Sequence, residues 1–109
     1  MPINLQKTII GPKVKIEGNI TLDEELIIEG KVIANRIDAG NHPIIVGLQA
    51  EVQGDLYARE IIIYGKLKGN SYAKKSIYLG DKAIVEGDCN APLIDIEPTS
   101  IIRGRLYKK

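Results

Sequence analysis

A chain of 109 residues bearing 15 basic and 14 acidic side chains has no net field to draw nucleic acid or an anionic membrane. Its apolar fraction of 44% is skewed to Ile, Val and Leu, with no Phe, no Trp and five Tyr. That mix favours strands and removes the aromatic platforms on which single-stranded nucleic acid stacks. No run approaches the roughly eighteen apolar residues of a membrane span, and no secretory signal opens the chain. The lone Cys89 cannot form an internal disulfide, which suits a reducing, cytoplasmic compartment.

The front tail, residues 1–8, alternates Met1, Ile3 and Leu5 before Lys7. Those four residues are the candidates for a membrane contact, made multivalent by assembly. A short edge strand on the next element accounts for the same alternation and is favoured, because three small apolar residues anchor poorly.

From residue 9 to residue 107 one phrase returns about every seventeen residues. It reads Ile16-Glu17-Gly18-Asn19-Ile20, then Val52-Gln53-Gly54-Asp55-Leu56, Val85-Glu86-Gly87-Asp88-Cys89 and Ile102-Arg103-Gly104-Arg105-Leu106. Asn35 and Gly69 fill the missing places. A second series interleaves at Gly11, Gly30, Gly47, Gly65, Gly80 and Pro98. Between the glycines run short period-two alternations such as Ile77-Tyr78-Leu79, which are strands rather than helices. A repeat of this length predicts a solenoid: a single all-β domain, a parallel β-helix of about six triangular coils, each with three strands and corners at Gly, Asn or Pro. The inward column should comprise Ile16, Ile20, Ile28, Val32, Val46, Val52, Leu56, Ile63, Leu67, Leu79, Val85, Leu93, Ile96, Ile102 and Leu106. Coil two is long, and its excess at Asp38-Ala39-Gly40-Asn41-His42-Pro43 reads as an outward loop. Coil four is short. Lys108 and Lys109 form the C-terminal tail.

These phrases, with Thr8-Ile9-Ile10-Gly11-Pro12 at the front and Ile94-Asp95-Ile96-Glu97 near the end, occur in an order that resembles the bactofilin family across nearly the whole chain. The resemblance implies a right-handed β-helix that polymerises without nucleotide, head to head and tail to tail. It implies a filament that scaffolds cell shape at the inner face of the cytoplasmic membrane, with the membrane surface and cell-wall enzymes as partners. Ile102 stands where that family often carries an inward Phe, and Cys89 takes an inward aliphatic place.

An open β-helix leaves unpaired strand edges at both ends, and this chain has no amphipathic helix to cap them. The candidate polymer contacts are therefore Ile9, Ile10, Val14 and Ile16 at one end and Ile101, Ile102 and Leu106 at the other. Tails folded over the ends are the competing account. Lys66, Lys68, Lys74 and Lys75 read as a solvated face, and Glu17, Glu29 and Glu86 as outward ladders paired with basic neighbours. His42 alone cannot make a zinc site. There is no phosphate loop; no catalytic residue, cofactor site, nucleic-acid partner or small-molecule substrate is expected. Hexapeptide-repeat acyltransferases and carbonic anhydrases are also β-helical, but Val46, Val52, Ala58 and Tyr64 drift off a six-residue register. A dimeric partner-binding module, like the C-terminal domain of the division inhibitor MinC, is the alternative to a polymer.

Overall fold

The computed structural model describes residues 7–13 and 15–108. Among them are fourteen strands and no helix. The first seven are β1 (Lys7–Ile10), β2 (Lys15–Glu17), β3 (Ile20–Thr21), β4 (Glu25–Ile28), β5 (Lys31–Asp38), β6 (Ile44–Val46) and β7 (Glu51–Ile63). Then follow β8 (Lys66–Lys68), β9 (Ser71–Leu79), β10 (Ile84–Glu86), β11 (Cys89–Ala91), β12 (Leu93–Ile96), β13 (Ile101–Arg103) and β14 (Leu106–Lys108). Every pairing is parallel and joins one coil to the next, which makes a β-solenoid of about six turns.

Three walls result. Wall one stacks β1, β4, β6, residues 61–63 of β7, residues 76–79 of β9 and β12. Wall two stacks β2, the start of β5, the start of β7, β8, β10 and β13. Wall three stacks β3, the end of β5, the middle of β7, the start of β9, β11 and β14. Period-two alternation sends every second side chain inward. Ile16, Val32, Val52, Leu67, Val85 and Ile102 therefore form one inward column on wall two.

Two sequence expectations are corrected. Leu93 is exposed, and Ile94 fills the core in its place, stacked on Ile77. Leu93 and Ile96 lie three apart, so one strand cannot send both inward. The outward loop of coil two is also shorter than the Asp38–Pro43 segment. Asp38 ends β5 and Ala39 is fully buried, so only residues 40–43 project. The core also takes in Leu26, Ile37, Ile44, Ile61 and Ile77, with alanines at the tighter places.

The corner glycines fix the coil spacing. A Cβ at Gly54 would lie 2.1 Å from the Ala34 carbonyl oxygen, and one at Gly69 would lie 2.0 Å from that of Gly54. Beside them runs a ladder of amide and carboxylate oxygens. Asn19 Oδ1 accepts from the Arg36 N–H (3.2 Å), Asp55 Oδ1 from Asn70 (2.9 Å), Asn70 Oδ1 from Asp88 (2.9 Å) and Asp88 Oδ1 from Arg105 (2.9 Å). Arg36 has no acceptor and breaks this ladder once. Its guanidinium instead bonds Asp38 and lies 4.1 Å over the Tyr57 ring, which stacks on Tyr72.

Among the described residues, wall three contains the one polar intruder in the core. Ser71 is fully buried and its Oγ has no hydrogen-bond partner. A buried unpaired hydroxyl costs about 1–3 kcal/mol. Ser71→Ala should accordingly stabilise the fold by about 1 kcal/mol, read as a higher denaturant midpoint by circular dichroism; a lower midpoint would show that the hydroxyl supports the wall. Its neighbour in the next coil, Cys89, is also buried. Burial, and then the Asp88 charge, push its thiol up to about 11. The neutral thiol should resist alkylation at pH 8 until the chain is unfolded. Because the folded pKa is the higher one, the stability linked to it is intact below the unfolded pKa and is lost as pH climbs toward about 11. A native chain that reacts with maleimide as fast as the unfolded one would contradict this burial.

Candidate polymer-contact ends

The two ends expose what the middle buries. In the wall-two column Val32 is 0% and Val52 2% exposed, whereas Ile16 and Ile102, which close the column, are only partly covered. On wall three Leu56 is 0% exposed and Leu106, in the sixth and last coil, is 43% exposed. Each inner side chain is covered by the coil on either side, and a terminal one has a neighbour on one side only.

The backbone repeats the pattern. Among the described residues, strands β1, β2 and β3 pair only with the second coil, and β12, β13 and β14 only with the fifth. Within the described residues each end therefore leaves one row of strand N–H and C=O groups without a strand partner on every wall. Such rows template further strand pairing.

Ile16, Ile102 and Leu106 face inward at the ends, as the sequence reading placed them. Ile10 also faces inward but is 4% exposed, so it lies beneath the rim. Ile9 and Ile101 point out from the walls and are half exposed, on the flank of the terminal coils. Val14, Met1, Ile3 and Leu5 lie outside the described residues; Lys7 begins β1. The structure adds Ile20 and Leu22 to the first end and Ile96 to the second, all partly buried against the core. Their signal was the same alternation that marked the core, read one coil further to each terminus.

The charged candidates separate. Lys66 and Lys68 lie exposed on wall two, and Lys74 and Lys75 lie beyond a corner on the β9 bend. Glu17 pairs with Lys15 at 3.3 Å and Glu86 with Arg103 of the next coil at 3.6 Å, while Glu29 is exposed. His42 Nε2 lies 3.3 Å from Asp23 of the coil before. A groove of about 260 Å³ on wall two is lined by Lys31, Lys66 and Lys68 together with Glu51 and Glu86, so its charges oppose one another rather than converge on one ligand. Among the described residues no group of three His, Cys, Asp or Glu side chains is arranged to hold a metal. No helix there is long and apolar enough to cross a membrane.

Comparison with known proteins follows the same lines. The chain is 29% identical over 103 residues to Bactofilin BacP of Myxococcus xanthus (strain DK1622), covering 94% of this chain and 42% of that protein. It is 29% identical over 102 residues to Bactofilin BacO of the same organism, covering 94% and 79%. It thus spans less than half the length of BacP. No solved structure matches it. The family model described as "Bactofilin: Polymer-forming cytoskeletal" matches residues 8–107, the whole run of coils, and the chain belongs to the bactofilin family.

Proposed function

We propose that this chain is a structural protein, not an enzyme, whose solenoids stack end to end into filaments without nucleotide, head to head and tail to tail. The observation that carries this is the contrast within the columns of walls two and three: the inward place is sealed in inner coils and partly open in the first and last. Fully burying one such side chain contributes about 1.5–3 kcal/mol. A two-fold joint doubles the three partly bare residues of each end and lets two strand edges pair antiparallel. Both contributions work against the free energy lost on association. The filament would work in the cytoplasm, at the inner face of the membrane, as a scaffold for cell shape and for cell-wall enzymes.

Negative-stain electron microscopy of the purified chain, without nucleotide and across a salt series, tests this. Unbranched filaments a single solenoid wide are expected. Discrete dimers under every condition would instead support a partner-binding module.

A further inference from the structure

Wall one has an unusual outer surface. In register on successive coils, Ile9, Ile27, Ile45, Ile62 and Tyr78 all point outward. Ile9 is 55% exposed and the others are partly so. The outward places of a sheet facing water are normally polar. A continuous apolar stripe on a surface marks an interaction site. On one margin the Tyr64 ring lies over Gly80 and adds an aromatic edge, packed at 72° against Tyr78.

The margins are acidic. Glu25 and Glu60 stand two residues before the stripe, Glu29 two residues after it, and Asp95 continues it past Tyr78. Glu97 accepts a hydrogen bond from the Tyr78 hydroxyl at 2.9 Å, which raises that phenol's pKa. Arg59 offsets Glu60 at 3.9 Å, and Lys7 is in register with Glu25. Glu29, Asp95 and Glu97 have no ion pair among the described residues.

This charge pattern selects the occupant. A second copy laid on the same wall would bring carboxylates against carboxylates. An anionic lipid surface meets the same repulsion. A cationic partner with an apolar row is complementary. The spacing sets its form: strand neighbours are about 4.8 Å apart, so five places span about 19 Å along the solenoid axis. An α-helix lying on that axis repeats an apolar face about every 5.4 Å, and about 13 residues cover the stripe. We propose that wall one is the docking face for a basic amphipathic helix of a partner protein. The proposal does not depend on end-to-end assembly.

The probe is a fluorescein-labelled 16-residue peptide (length chosen from about 1.5 Å per residue) with leucine at every third or fourth place and lysine elsewhere, followed by anisotropy against the full chain. It should bind, and bind more weakly as salt rises. The same leucines among glutamates should not bind. Ile45→Thr with Ile62→Thr keeps β-branched residues in the strands and should weaken binding about tenfold or more. Glu29→Lys with Asp95→Lys, on exposed positions, should weaken it without touching the stripe. Filaments and circular dichroism should be unchanged in both variants. Equal binding by a scrambled lysine–leucine peptide, or undiminished binding by either double variant, overturns the proposal. So does loss of lateral filament bundling, or of binding to phosphatidylglycerol vesicles, in the threonine variant, since the face would then belong to a second copy or to lipid.

Discussion

Gly69→Ala should destroy the fold, whereas Gly11→Ala should leave it almost untouched. A methyl at position 69 would lie 2.0 Å from the Gly54 carbonyl oxygen and 2.6 Å from its carbon, and the residue sits at φ +153°. The obstacle is backbone in the preceding coil, pinned by pairing on every wall, so it cannot swing aside as a side chain would. The expected loss exceeds about 4 kcal/mol, most of the stability of a domain this size. At Gly11 an added Cβ meets nothing within 4 Å, and the change should fall within about 0.5 kcal/mol. Gly18→Ala separates the two causes: its Cβ also meets nothing within 4 Å, but its φ is +112°. It should cost only the conformational strain, about 1–3 kcal/mol. Denaturant unfolding followed by circular dichroism, at concentrations too low for assembly to contribute, ranks the three. Equal losses at 18 and 69 would show that dihedral strain, not coil clearance, sets the glycine requirement.

Ile102→Arg should abolish filaments and spare the monomer. Ile102 closes the wall-two column against Val85 and lies only partly covered at the open end. In an isolated chain the arginine can lay its stem over the rim and keep its charge in water. In a tail-to-tail joint two such charges would be buried face to face without partners, a penalty of several kcal/mol at each joint. The end already carries Arg103, Arg105 and Lys108, all exposed, and Glu86 is already paired with Arg103 at 3.6 Å. Size-exclusion chromatography should show short species held by the first end alone, and microscopy should show no filaments. Filaments of normal length in this variant would remove the C-terminal coil from the interface.

The glycine phrases revealed the coils because steric need repeats with the coil and leaves few other residues possible at Gly54 and Gly69. Alternation revealed most of the core for the same reason. It failed at Leu93 because the corner made by Ala91 and Pro92 shifts the phase by one, and two aliphatics in a row look alike from sequence. The run Ile61-Ile62-Ile63 hides its outward member in the same way, so the wall-one stripe was invisible until the register stacked Ile62 on Ile45. Lys66, Lys68, Lys74 and Lys75 were grouped by nearness in sequence, and a corner separates the pairs. The end residues were half legible: Ile16, Ile102 and Leu106 were named both as inward and as terminal, Ile20 and Ile96 only as inward, and Leu22, at a corner, not at all.

The corner ladder has a direction. Each oxygen, from Asn19, Asp55, Asn70 and Asp88, receives an N–H from a residue 15 to 18 positions later and never from one earlier. A finished coil thus holds out acceptors for residues the ribosome has yet to deliver. Because each coil touches only its neighbours, structure of this kind can grow by accretion from any formed segment. During synthesis the N-terminal coils are made first, so they can serve as the template on which the later ones are laid, with loop closures of one turn at a time rather than a search across the whole chain.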